Sequence, residues 1–332
     1  MRLTANRGHR SKRSGCAALV IALAATAALA PAPARGAATL TFLYALSDNN
    51  GPLATNWVRH AHDPRAHEIF VLDPSEGIVH VFNRAGMETF SFGDDEAVGA
   101  VADIAVLEGG DVVLLSWFSG KLALLRCNFR GEPIGRIALH GTPADLADFA
   151  PDRVRAVGGT LYLAASQQMR AVAMSPDGEW LRTYDASGLA TGRKKGDAGF
   201  TGFGVDASGN VLFTVAPMFQ AFVLSPDGHL RSFGVRGGAP GRFNVVGGIA
   251  ADDAGNLYVT DVLRSVVMVF DSEFTFQGEF GYRGASPENL IAPRDLVVGD
   301  GQVFVTQSAG RGVSVFRIEA PPVAAPPVAA GS

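Results

Sequence analysis

The sequence predicts an all-β fold: a six-bladed β-propeller of four-stranded blades, its ring closed by the N-terminal strand pairing in the last blade. Three observations predict it. Phe82, Cys127, Met174, Leu224, Phe270 and Phe316 each stand just before a turn-like tetrad or its equivalent, at intervals of 45, 47, 50, 46 and 46 residues. Apolar runs begin at Ile69, Val112, Leu161, Val211, Leu257 and Val303, at intervals of 43, 49, 50, 46 and 46. Two independent markers sharing one period define a repeat in six copies. Third, each copy consists of short hydrophobic runs punctuated by Gly, Asp, Asn and Ser, with little helical periodicity, which is the content of one four-stranded blade.

Taken in order, the chain starts with a targeting segment. Arg2, Arg7, Arg10, Lys12 and Arg13 precede an apolar stretch from Cys16 to Ala30, and small residues follow from Ala30 to Ala38. This is the pattern of a Sec-type signal peptide over residues 1–38, cleaved near 34–38, and it predicts export to the periplasm or the extracellular space. The stretch is shorter than the ~20 residues a membrane span needs, and no second long apolar segment exists, so no membrane span is expected in the mature chain. The whole chain has 28 basic and 32 acidic residues. Residues 1–37 hold six of the basic ones and no acid, so the remainder carries 22 against 32, a balance of −10. Such an acidic chain is not expected to bind nucleic acid, whose affinity comes from basic surfaces. After cleavage Cys127 is the sole cysteine, so no internal disulfide is expected.

The propeller is expected over residues 39–319. Thr39 to Asp48, "TLTFLYALSD", alternates polar and apolar residues as an outer strand should. Copy five shows the blade most plainly: "GGIAAD" from Gly247, the turn "DAGN", "LYVTD" from Leu257, "SVVMVFD" from Ser265, and the alternating "TFQGEFG" from Thr275. The tetrad "SPDG" occurs at Ser175 and again at Ser225, one repeat apart, as the tight turn between third and fourth strands. Copy six ends after its third strand, "GVSVFRIE", and lacks a fourth; Thr39–Asp48 is the strand available to complete it. Residues 320–332 form a Pro/Ala-rich tail, expected to be disordered.

The stretch "GGIAADDAGNLYVTD…VVMVFDSEFTFQGEFGYRG" resembles the NHL-repeat group of six-bladed propellers, over about residues 39–319. The position that gives the group its Asn has drifted here to Glu76, Gln168, Met218, Arg264 and Gly310. The resemblance implies the fold and does not carry over any member's activity.

Loops joining fourth to first and second to third strands share one face of a propeller, and that face with the channel mouth is the expected binding surface. The first positions of the inner strands read Arg59, Asp103, Arg153, Gly202, Gly248 and Asp295. Two arginines and two aspartates around one mouth either grip a polar or zwitterionic ligand or neutralise one another in salt bridges. The second-to-third loops offer Trp117 and Phe118, Met218 and Phe219, and Leu263 beside Arg264, residue types common at interaction surfaces. Arg193, Lys194 and Lys195 form a basic run, read as a solvated loop or a dock for an acidic partner.

Catalytic sets are sparse. His60 and His62 lie on one inner strand with no obvious third zinc ligand. Asp103 and Asp295 are candidate calcium ligands, but Arg59 and Arg153 beside them oppose a cation. The alternative this leaves is a divalent-metal-dependent lyase or lactone hydrolase using His60, His62, Asp103 and Asp295, with zinc or calcium. Cys127 takes the place of bulky apolar residues in the other copies and reads as core rather than nucleophile. The expectation is therefore an exported, non-catalytic binding or scaffold propeller without cofactor. Its partner would be a protein, peptide or glycan outside the cytoplasm.

Overall fold

The computed structural model describes residues 39–48, 51–53, 58–93, 95–192 and 198–319. Residues 1–38, where a signal peptide is expected, the basic run at Arg193, Lys194 and Lys195, and the Pro/Ala tail lie outside the described residues.

The chain is a six-bladed β-propeller. Blade one comprises β4 (Arg59–Asp63), β5 (Glu68–Asp73), β6 (Ile78–Phe82) and β7 (Glu88–Gly93). Blade two is β8 (Ala100–Val106), β9 (Val112–Phe118), β10 (Lys121–Cys127) and β11 (Pro133–Ile137). Blade three is β12 (Arg153–Val157), β13 (Thr160–Ala165), β14 (Arg170–Met174) and β15 (Trp180–Asp185). Blade four is β16 (Phe203–Val205), β17 (Val211–Val215), β18 (Gln220–Leu224) and β19 (Leu230–Phe233). Blade five is β20 (Val246–Ala251), β21 (Leu257–Asp261), β22 (Val266–Phe270) and β23 (Phe276–Gly281). Blade six is β24 (Asp295–Gly299), β25 (Gln302–Thr306), β26 (Val313–Glu319) and, from the other end of the chain, β1 (Thr39–Ala45). Each blade is an antiparallel four-stranded sheet, and the inner strands β4, β8, β12, β16, β20 and β24 neighbour one another in a closed ring.

The closing strand sits where the alternation of residues 39–48 predicts. β1 pairs with β26 from Thr39 opposite Glu319 to Ala45 opposite Ser314, and Phe42 meets the Phe316 ring edge-on at 5.6 Å. A short hairpin, β2 (Ser47–Asp48) with β3 (Gly51–Pro52), follows it and was not legible as a separate element.

Six apolar clusters hold the ring, one between each pair of neighbouring blades. Phe70, Leu72, Ile104 and Cys127 lie between blades one and two, and Tyr258, Val267, Leu296 and Phe316 between five and six. Second strands are buried on both faces, which is why they read as unbroken apolar runs. Fourth strands face solvent on one side and so alternate. Burial pushes the Cys127 thiol up to about 12, with Asp95 and Asp111 adding to the shift, so the thiol stays protonated.

The repeated "SPDG" is the third-to-fourth strand turn in two adjacent blades. Gly178 and Gly228 donate their N–H to the carbonyls of Ser175 and Ser225, with φ of +98° and +86°. Gly86 and Gly131 do the same in blades one and two, while blade five puts Phe274 in the left-handed conformation at φ +66°. The two SPDG glycines differ in one respect. A Cβ on Gly178 would stand 1.9 Å from the Ala138 carbonyl oxygen, whereas one on Gly228 meets nothing within 4 Å. Gly228→Ala is therefore expected to cost about 1 kcal/mol from backbone strain alone, and Gly178→Ala at least about 2 kcal/mol more. Urea unfolding of both variants measures the gap, and equal losses would contradict this account.

Candidate functional site

Inner strands pair on one side only, so six strand edges look toward the central channel, where side chains, water or a ligand must satisfy their backbone groups. Strand periodicity carries side chains at alternate positions toward one neighbouring blade or the other. Charges at the starts of these strands meet across the ring. Arg59 Nη1 lies 3.4 Å from Asp295 Oδ2, linking blades one and six. Arg155 Nη1 lies 3.1 Å from Asp103 Oδ2, and its Nη2 3.6 Å from Asp295 Oδ2, linking blade three to blades two and six. The carboxylates are further engaged: Asp103 accepts the N–H of Ile104 and of Val154 at 3.0 and 2.9 Å, and Asp295 that of Leu296 at 3.0 Å. Arg59, Asp103 and Asp295 are buried. Burial alone would raise the Asp295 carboxyl; the charges of His60 when protonated, Arg155, Arg59 and Arg153 outweigh it and hold it below the usual carboxylate range.

Sequence alignment of the blades finds three of these four residues and misses Arg155. Arg153, the residue it selects, turns to Asp152 at 3.3 Å and to the Asp152 carbonyl at 2.8 Å. Arg155 lies two positions further along the same strand, and the two-residue period was the signal that could have found it. Gly202 and Gly248 allow close approach of the inner strands on the other side of the ring: a Cβ on Gly202 would meet the Gly247 carbonyl at 2.4 Å, and one on Gly248 the Asp295 Oδ1 at 2.5 Å.

The open part of the channel is a cavity of about 310 Å³. It is lined by all six inner strands and reaches from His60 and Arg155 to the turns between first and second strands, at Glu108, Gly159, Asp206, Asp253 and Asp300. Neither Arg59, Asp103, Arg153 nor Asp295 lines it, nor does any residue of the second-to-third loops. At its inner end His60 is 1% exposed, and neither ring nitrogen has a hydrogen-bond partner. Burial lowers the His60 pKa, the nearby Asp295 opposing, so the imidazole is neutral at neutral pH. At the rim, Asp300 Oδ2 takes His62 Nε2 at 3.1 Å and His67 Nδ1 at 2.6 Å, tying the turn of blade six to blade one. Burial lowers His62 as well, against the pull of Asp300.

The loop tips are not one surface. Trp117 and Leu263 are 48% and 66% exposed, but they belong to blades two and five. Phe118 packs toward the blade-one core with Arg136 over its ring at 4.3 Å. Met218 and Phe219 pack against the cores on either side of blade four, and Arg236 lies 4.9 Å from the Phe219 ring. Arg264 is held by Glu279 at 2.8 and 2.6 Å.

The carboxylates at the strand starts and the rim are already engaged. Asp103 and Asp295 spend their oxygens on two guanidinium groups and on backbone N–H groups, and Asp300 on two imidazoles. Among the described residues no group of three His, Cys, Asp or Glu side chains is arranged to hold an ion.

No family model matches the chain, and none of the curated proteins does. Solved structures match in fold. A protein of unknown function from Bacteroides thetaiotaomicron superposes with TM-score 0.60 at 14% identity, over 85% of this chain and 76% of its own. A gluconolactonase from Xanthomonas campestris gives 0.55 at 15%, over 85% and 90%. Virginiamycin B lyase from Staphylococcus aureus gives 0.53 at 12%, over 86% and 89%. At these identities the likeness establishes the propeller and nothing finer.

Proposed function

We propose that this chain is a non-catalytic binding propeller that admits the end of a peptide, protein or glycan, or a small polar molecule, into its central channel. Entry is through the face formed by the first-to-second strand turns. The observation that carries this reading is the cavity of about 310 Å³ lined by all six inner strands, with Arg155 at its inner end and carboxylates at its rim. Concave sites with a few placed polar groups are where ligands are ordinarily held. The N-terminal pattern supports action outside the cytoplasm.

The lyase and hydrolase among the structural neighbours do not alter this preference, because the charges at the strand starts here are spent on one another. A thermal-shift screen of short peptides and sugars tests the reading, since a ligand at a hundred times its Kd stabilises by about 2.7 kcal/mol. Stabilisation that is lost in Ala207→Trp, at the channel rim, is the expected result. Ligands indifferent to that change, or stoichiometric zinc or calcium in the natively purified protein, would overturn it.

A further inference from the structure

The channel opens among the first-to-second strand turns. The opposite face is built from the other loops: those joining second to third strands, and the linkers that carry the chain from one blade to the next. Hydrogen bonds tie the two sets together. The Val262 N–H donates to the Val245 carbonyl at 2.8 Å in blade five, Arg311 Nη2 to the Ser286 carbonyl at 3.0 Å in blade six, and Gln168 Nε2 to the Asp148 carbonyl at 2.7 Å in blade three.

Charge is divided unevenly over this face. The linkers into blades five and six carry Arg236, Arg242, Arg283 and Arg294, all exposed, with Arg311 beside them. Among the described residues no carboxylate pairs with any of the five. Arg236 lies over the Phe219 ring, Arg294 donates to Ser308 Oγ, and Arg311 donates to backbone carbonyls. Against them stands exposed Glu288, while Glu279 is held by Arg264 and buried Asp261 accepts backbone N–H groups. The linkers into blades two and three show the reverse. Asp95, Glu96, Asp145 and Asp148 are exposed there, with Glu76 on the adjoining loop of blade one. Arg153 and Arg170 are held by Asp152 and Asp185, which leaves Lys121 and Arg136 as the opposing cations. The excess is negative over blades one to three and positive over four to six. In a chain whose residues after 37 carry a balance of −10, the positive half is a concentrated feature. Apolar side chains accompany both halves: Val245, Leu263 and Tyr282 are exposed around blade five, and Trp117 on blade two, directly across the ring.

The two halves complement each other under a single operation. A twofold axis between two copies stacked face to face reverses the order of the blades. With the axis passing between blades three and four, blade two sits on five, three on four, and one on six. The linker into blade two, with Glu96, then meets the linker into blade six, with Arg283 and Arg294. The linker into blade three, with Asp145 and Asp148, meets the linker into blade five, with Arg236 and Arg242. Glu76 meets Arg311, and Trp117 meets the apolar side chains of blade five. Each contact occurs twice, as in any isologous interface. Every other setting of the axis brings at most one of the two acidic linkers onto a basic one.

We infer that this face binds a second copy of the chain in a twofold dimer, basic half on acidic half. Complementary charge sets the orientation, and aromatic and arginine side chains are the types that carry such contacts. The dimer is independent of what the channel holds. It leaves both channel mouths open and facing away from one another, so it presents two binding sites at once.

Sedimentation velocity of the natively purified protein tests this. A dimer is expected at micromolar concentrations, loosening as salt is raised. Arg283→Glu and Glu96→Arg should each weaken it about tenfold or more, because each sets like charges together at two symmetric contacts. Both positions are exposed, so neither change should disturb the fold. Mixing the two variants should restore dimers of near-parental affinity. In the mixed pair the two substituted side chains face each other with opposite charge, and the other contact is that of the parent. A protein monomeric at every concentration up to about 100 µM would overturn the inference. A dimer that both variants leave unchanged would do the same. Weakening in either variant without recovery on mixing would show that these charges do not meet across a twofold, and would sink it equally.

Discussion

Asp295→Ala is expected to destabilise the propeller by about 3–5 kcal/mol, a large part of the stability of an ordinary domain. The loss does not measure the attraction of the ion pair. It arises because Arg59 and Arg155 keep their charges while one of the two carboxylates that offset them, at 3.4 and 3.6 Å, is removed. Leaving a buried cluster with a net positive charge costs more than the lost pair contributes, since burial removes the water that would otherwise solvate it. Converting Arg59 to Met in the same chain should recover part of the loss, so the double variant is less damaged than the sum of the singles. Chemical denaturation of the four chains measures this. An Asp295→Ala protein within about 1 kcal/mol of the parent would show that the cluster is solvated and not the closed floor described here.

The same cluster sets the acid response. Asp295 has a folded-state pKa below its unfolded value of about 3.9, so its contribution is complete above that pH and is lost as pH falls through the lower folded value. His60 and His62 act earlier. Their folded-state values lie below the ordinary 6.5 or so, so the unfolded chain takes up those protons first and stability declines as pH drops below about 6.5. The part of that decline owed to His60 should vanish in His60→Phe.

Deleting Thr39–Ala45 is expected to remove at least about 4 kcal/mol and the cooperative transition with it, because four partly buried side chains, Leu40, Phe42, Leu43 and Tyr44, leave the core together. The strand also covers β26, whose outer edge would otherwise stand open to pairing with another chain. Self-association in light scattering should therefore accompany the lost transition. A synthetic peptide of residues 39–48 supplied in trans should restore both, by adding the missing strand to that edge. A truncated chain that stays monomeric with an unchanged melting midpoint would show that the ring does not depend on this closure.

The architecture was legible because each blade solves the same local problem. A second strand buried on both faces must be apolar throughout, as Val211–Val215 and Leu257–Asp261 are for most of their length, and a tight turn after the third strand calls for a left-handed residue. These constraints act within a few residues, so they recur in the chain at the repeat period. The closing strand was legible for the same reason: copy six lacks its alternating outer strand, and Thr39–Asp48 has that pattern.

The site was legible only in part. Alignment of the blades located Arg59, Asp103 and Asp295, because the start of an inner strand is a repeat position like any other. It selected Arg153 over Arg155, since one strand offers two arginines on the same face and only packing across the ring decides which one reaches Asp103. Asp300 went unnoticed because its partners, His62 and His67, stand more than two hundred residues earlier in the chain.

The amino-acid sequence by itself determined the number of blades, the strands within each, and the way the ring closes, because burial and turn geometry write their demands locally. Only the tertiary structure decided that the charges meet in a buried cluster, that His60 is left without a partner, and that the open cavity ends at the first-to-second strand turns. Those outcomes depend on how closely six separate strands approach one axis. That distance is set by contacts such as Gly202 against Gly247 and Gly248 against Asp295, between residues that no local pattern connects.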